Sequence, residues 1–258
     1  MKGLNGLPLY ELEEFINMES FDKLQIDIWK GIAVAKFKVK HGYLTPYLIY
    51  DPDKLSSKLT VKPLMAAYQE YKDLPNTDPI KITGEEISKT HGHNALTTFL
   101  KYAYGAHDAC AHYLFWDHYA GWRSNTDHRK FTNIVEDFPT LISWIDTLIT
   151  DRVFSNIGRA YLIAIESNGH SFEHCDPALD PDGCPDYYPE FIHIRPNLNR
   201  PFYVYDIDEK KKYYLNSRVG WWNDKDMHGG EAVAEPSYAI RIDGIFTDEF
   251  RNKIKKNV

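Results

Sequence analysis

Two histidines and one aspartate stand out, because their types and spacing suit a divalent metal. After the run RAYLIAIE (159–166) the chain reads SNGHSFEHCDPALD (167–180), which places His174 and Asp176 two positions apart. On an extended stretch residues at that spacing point to one face and can hold one ion. A third donor comes much later, in VGWWNDKDMHGG (219–230), where His228 follows a short apolar strand and precedes a glycine pair expected to reverse the chain. Two imidazoles and a carboxylate on one side of a metal leave adjacent coordination positions open, the arrangement used by non-haem Fe(II) oxygenases. On the next apolar run, SYAIRID (237–243), Arg241 alternates with Ala239 and Asp243 on one face. A buried guanidinium opposite a metal is costly unless it meets an anion, and its fork fits a carboxylate at two points.

Those residues need a scaffold, and the pattern after residue 155 supplies one. Short apolar runs with a period near two occupy Arg159 to Glu166, Glu190 to Ile194, Phe202 to Tyr205, Lys212 to Leu215, Val219 to Trp222 and Tyr238 to Asp243. Asn168-Gly169, Asp182-Gly183 and Gly229-Gly230 have the composition of reversals between them. The expected fold is mainly β with flanking helices: a double-stranded β-helix, or cupin-like jelly roll, over 138–258. A mixed, mainly helical part over 1–137 should precede it and pack on it. Within that part Asn94 to Trp122 and Phe131 to Thr150 have helical spacing, Pro139 suits a helix start, and IAVAKFKV (32–39) alternates as a strand does.

Four segments in this order, HCD, FIHIRPNLNRPFYVYD, YYLNSRVGWWNDKDMHGG and SYAIRIDGIF, resemble the aspartyl/asparaginyl β-hydroxylase-like branch of the Fe(II)/2-oxoglutarate dioxygenases. The resemblance covers roughly residues 138 to 246. It implies Fe(II) held by His174, Asp176 and His228, with 2-oxoglutarate and O2 as cosubstrates and hydroxylation of a C–H bond with release of succinate and CO2. It further implies that Arg241 takes the far carboxylate of 2-oxoglutarate and that His193 contacts the metal-side carboxylate. The family typically carries an arginine two residues before that histidine. Here the position is Phe191, with Arg195 or a tyrosine as possible substitutes. Trp222-Asn223 is similar to the approach to the distal histidine. The implied substrate is an amino-acid side chain, a peptide or a small polar metabolite.

Other candidates have plainer readings. His170 suits a contact beside the site or an exposed turn, and Asp226 a surface position, although a carboxylate two before His228 could compete as a ligand. His107, His112 and His118 are spaced five and six apart, which separates them around a helix, and their aromatic neighbours suit core packing. His91 and His93 suit a loop or cap. Trp221 and Trp222 should divide between the two faces of a strand.

In 258 residues there is room for one substantial core. The net charge of −7, from 30 basic and 37 acidic residues, disfavours nucleic acid or an anionic membrane as partner, and Lys210 to Lys212 suit a solvated turn. With no long apolar stretch and no secretory pattern, a soluble cytoplasmic protein is expected. Cys110, Cys175 and Cys184 suit reduced thiols rather than a disulfide framework. The competing reading from another class is a non-catalytic jelly-roll module that binds a metal or ligand, or serves a structural role.

Overall fold

The structure is a computed structural model. It describes residues 1–40, 64–91, 110–117, 130–131, 133–165, 167, 171–174 and 190–256. The strands are β1 (Leu9–Glu11), β2 (Cys110–Asp117), β3 (Lys130–Phe131), β4 (Phe154–Ile165), β5 (Ser171–His174), β6 (Glu190–Ile194), β7 (Phe202–Asp206), β8 (Lys211–Tyr214), β9 (Val219–Trp222), β10 (Met227–Gly230) and β11 (Ser237–Phe246). The helices are α1 (Met18–Asp22), α2 (Gln25–Lys40), α3 (Leu64–Asp73), α4 (Pro79–His91), α5 (Pro139–Thr150) and α6 (Asp248–Lys256).

One sheet runs β1-β9-β6-β11-β4-β2-β3 and the other β5-β10-β7-β8. All the strand pairings are antiparallel. From β4 onward the chain crosses between the sheets so that β4, β6, β9 and β11 share one and β5, β7, β8 and β10 the other. That double Greek-key order is the expected jelly roll. Residues before 138 extend its larger sheet at both edges, through β1 on one side and β2 and β3 on the other.

Alternation along the central strands gives each face of the larger sheet its role. Leu162, Ile240 and Ile242 are fully buried on the outer face, where Tyr238 meets Trp29 of α2 at 5.2 Å between ring centroids. Helix α5 begins with Pro139 in its first turn, as expected, and buries Leu141, Trp144, Ile145 and Leu148. The inner face carries Phe191, His193, Trp222 and Arg241 toward the second sheet. Phe202 from that sheet stacks on Trp222 at 4.3 Å. Trp221 points the other way, against Tyr10 and Phe246, so the tryptophan pair divides as expected.

Three local expectations are corrected. IAVAKFKV lies within helix α2, where Ile28, Ile32 and Ala35 are buried at helical spacing while Val34 is exposed. The alternation there is a short coincidence within a longer 3.6-residue period. Residues 110–117, expected within a helix, form strand β2 against β4; residues 94–109 and 118–122 of that segment lie outside the described residues. Gly229-Gly230 continues strand β10 instead of reversing, opposite Tyr203 and Phe202, because glycines facing large aromatic residues across a ladder leave room for their rings. Among the described residues no helix is long and apolar enough to cross a membrane.

Candidate functional site

Strand β10 brings the distal histidine to the first one. His228 is the direct register partner of His174 on β5, and on its other side it pairs with Val204 of β7. Its ring is buried, 5.3 Å from Trp222 and 6.0 Å from Phe202. His228 Nδ1 lies 2.9 Å from the backbone oxygen of Asp226. A carbonyl only accepts, so Nδ1 carries a proton, which leaves Nε2 as the nitrogen an imidazole so held turns toward a metal. Asp176 and His170 lie outside the described residues, as do His93, His107, His118, Cys175 and Cys184. Among the described residues no group of three or more His, Cys, Asp and Glu side chains is placed to hold a metal.

The turn before β10 is unusually tied down. Asp226 N–H donates to the Asn223 carbonyl, and Lys225 N–H to the Asn223 side chain. Asp226, expected at the surface or as a rival ligand, is buried, and its carboxylate accepts from the backbone amides of Lys2 and Gly3 at 2.5 and 2.6 Å. Two short bonds to main-chain N–H groups explain how a carboxylate tolerates burial. Asn223 completes the tie by donating to the Gly3 carbonyl.

His193 faces Arg241 across the β6–β11 ladder and stands 5.1 Å from Trp222 and 5.2 Å from Phe202. Burial pushes its pKa well below the ordinary histidine value, reinforced by the charges of Arg195 and Arg241. It is therefore a neutral imidazole, able to donate one hydrogen bond and accept another. Trp222 is 2% exposed, yet among the described residues its indole N–H has no hydrogen-bond partner. It packs against Phe191, His193, Phe202 and His228, so one tryptophan links both sheets around the distal histidine.

Arg241 meets anions that the protein itself provides. Its two terminal nitrogens donate to the two oxygens of Asp224, Nη1 to Oδ1 at 3.0 Å and Nη2 to Oδ2 at 2.6 Å, and its Nε donates to Asp243 at 2.8 Å. Both aspartates are fully buried. Asp243 accepts in turn from Arg159 Nε at 2.9 Å, so Asp224, Arg241, Asp243 and Arg159 form a row of alternating charge. The guanidinium lies 3.7 Å over the ring of Phe191, a cation–π contact made by the residue that stands where the resembled family has an arginine. Arg195 does not fill that gap. Its guanidinium donates to the carbonyls of Arg200, Leu215 and Ser217, and burial brings its pKa down to about 10.

Asp224 and Arg159 went unrecognised in the sequence, and the role of Asp226 in tying the turn was not foreseen. Only Arg159 left a usable signal, lying at even spacing from Tyr161 on a strand whose register places Tyr161 opposite Arg241. Arg159, Tyr161 and Ile163 are half-buried along the inner face of β4, in contrast to the fully buried inner face of β11.

No family model matches the chain, and no curated protein matches it in sequence. Solved structures similar to it include an oxidoreductase of the 2OG-Fe(II) oxygenase family from Burkholderia pseudomallei, at 13% identity and a TM-score of 0.34, covering 52% of this chain and 65% of that one. A prolyl hydroxylase from Trichoplax adhaerens, in complex with a hypoxia inducible factor peptide fragment, matches at 14% and 0.30 over 51% and 64%. An RmlC-like cupin from Desulfovibrio desulfuricans matches at 11% and 0.24 over 36% and 76%. The chain thus spans a little under two thirds of the length of the first two.

Proposed function

We propose that this protein is an Fe(II)- and 2-oxoglutarate-dependent oxygenase that hydroxylates a C–H bond of an amino-acid side chain, a peptide or a small polar metabolite. The observation that carries this reading is the register of His174 directly opposite His228, with Nδ1 of His228 committed to a carbonyl. His174, Asp176 and His228 would hold the iron, a donor set whose two imidazoles and one carboxylate suit Fe(II). Iron with 2-oxoglutarate and O2 would supply the oxidising power, yielding succinate and CO2.

The chain's own residues bind, orient and exclude water. The Asp226 carbonyl fixes the His228 tautomer and ring plane. Trp222, Phe202 and Phe191 close the interior around the metal ligands, and neutral His193 faces the same interior with hydrogen-bonding capacity for a carboxylate or keto oxygen. Arg241 is the cationic group for the far carboxylate. Half-buried Arg159, Tyr161 and Ile163 offer the wall along which a substrate would lie.

A non-catalytic ligand-binding jelly roll is the second reading, favoured by one observation: Arg241 already has two carboxylates and needs none from outside. The experiment that separates the two readings is succinate formation from 2-oxoglutarate by protein loaded with Fe(II) under air. Succinate from the native chain, and none from Asp176→Ala or His228→Ala, supports the oxygenase. Folded, iron-loaded native protein that forms no succinate with a broad set of peptides and amino acids supports the binding module.

A further inference from the structure

Trp222 has a single polar atom, the indole nitrogen, and among the described residues its N–H meets no acceptor although the residue is 2% exposed. An indole only donates. Stranding such a donor in the interior costs about 1–3 kcal/mol, which a phenylalanine at the same place would avoid while keeping an aromatic face for its neighbours. Those neighbours are Phe191 at 4.8 Å, His193 at 5.1 Å, Phe202 at 4.3 Å and His228 at 5.3 Å, drawn from both sheets. The indole therefore stands between the sheets, against the distal histidine. Arg195 Nε is also buried without a partner, but the same guanidinium donates to three carbonyls. The indole has no second polar atom through which to recover the cost. Phe191 and Phe202 carry no acceptor atom, and His228 has Nδ1 turned to the Asp226 carbonyl. A donor-only group in such company suits the oxygen of a keto or carboxylate group and refuses an ammonium.

We propose that the indole N–H of Trp222 is a ligand-binding donor that takes an oxygen of the 2-oxo acid held beside His228. This rests on the oxygenase reading and deepens it by naming a neutral donor in the wall next to His193. The bond is directional and uncharged, so it fixes where an oxygen lies without adding a cation to an interior that already buries Arg195 and Arg241. The rings of Phe191 and Phe202 hold the indole plane, and with it the direction of the N–H, before the ligand arrives.

The test uses the full chain with ¹⁵N-labelled indoles, Zn(II) in place of iron so that no turnover occurs, and 2-oxoglutarate as the probe. The chain has six tryptophans, and the indole signal lost in Trp222→Phe is that of Trp222. Saturation with 2-oxoglutarate should move this indole proton downfield, the direction of hydrogen-bond formation. Calorimetry should show Trp222→Phe binding 2-oxoglutarate about ten-fold more weakly than the native chain. Should Trp222→Phe fail to fold, 3-benzothienylalanine at position 222 replaces it in both measurements, keeping the bicyclic shape while exchanging N–H for sulfur, with the same expected loss. A Trp222 signal that stays in place while 2-oxoglutarate shifts others, or unchanged affinity in the variant lacking the N–H, overturns the proposal and leaves the oxygenase reading standing. No binding of 2-oxoglutarate by folded, zinc-loaded native protein overturns both.

Discussion

Nδ1 of His228 stands 2.9 Å from the backbone oxygen of Asp226, the residue that also holds the amides of Lys2 and Gly3. The carbonyl places a proton on Nδ1 and orients the ring. The carboxylate of the same residue holds the amides of Lys2 and Gly3, so one aspartate orients the ligand with its main chain and secures the turn with its side chain.

Asp226→Ala should therefore lower stability by about 2–4 kcal/mol, the cost of stranding two amides that bonded a charged acceptor. Asp226→Asn should lose about half as much, since it keeps one oxygen. Urea unfolding followed by fluorescence measures both, and an alanine variant as stable as the native chain would contradict the assignment.

Asp243 is shared by two arginines, Arg241 and Arg159, at 2.8 and 2.9 Å. Removing one partner of a buried ion pair typically costs about 3–5 kcal/mol. Asp243→Ala belongs in that range, while Arg159→Ala, at a half-buried site, should cost clearly less. The order of the two midpoints in urea is the check.

Helix α2 presses on the chain entering α5 at Gly31. A Cβ there would come within 2.5 Å of the Asp137 carbonyl oxygen and 2.6 Å of the Phe138 ring. Gly31→Ala should destabilise by about 1–3 kcal/mol through overpacking, although alanine is the better helix former. A stabilised variant would show that α2 does not lie against this corner.

Much of this architecture was legible. The strands of the jelly roll have two different faces, one under helices and one toward the barrel interior, and that asymmetry writes a period of two into residues 159–166, 190–194 and 237–243. The common face of Arg241 and Asp243 follows from the same period, and the structure joins them directly. Helix α2 was misread because Ile32 to Val39 alternates locally, whereas burial at Ile28, Ile32 and Ala35 follows the helical turn. Asp224 and Asp226 were not legible in their roles. A turn residue has no periodicity to fix its direction, and their partners, Arg241 and the amides of Lys2 and Gly3, are distant in the chain.

Glu13 ties the segment after β1 to Arg218, accepting from its backbone N–H at 2.8 Å and its Nε at 2.7 Å. Partial burial raises its pKa, but the bonds from Arg218 outweigh that and hold it below the ordinary value of 4.5. A depressed carboxylate contributes stability above its unfolded pKa and loses it as pH falls through the folded value. Half exposed to screening, the pair contributes at most about 1 kcal/mol. Glu13→Gln should be less stable than the native chain at pH 7, with the gap closing below about pH 4.5. Denaturant midpoints across that range test it, and a gap that widened on acidification would contradict the linkage.

The central claim is that His174, Asp176 and His228 hold an iron to which 2-oxoglutarate adds. Its most direct test is the visible spectrum of anaerobic protein titrated with Fe(II) and then 2-oxoglutarate, for the native chain, His174→Ala and Arg241→Ala. The account predicts a weak charge-transfer band that requires both additions, is absent in His174→Ala and needs more cosubstrate in Arg241→Ala. A folded native protein that gives no band, or a band that persists in His174→Ala, would contradict it.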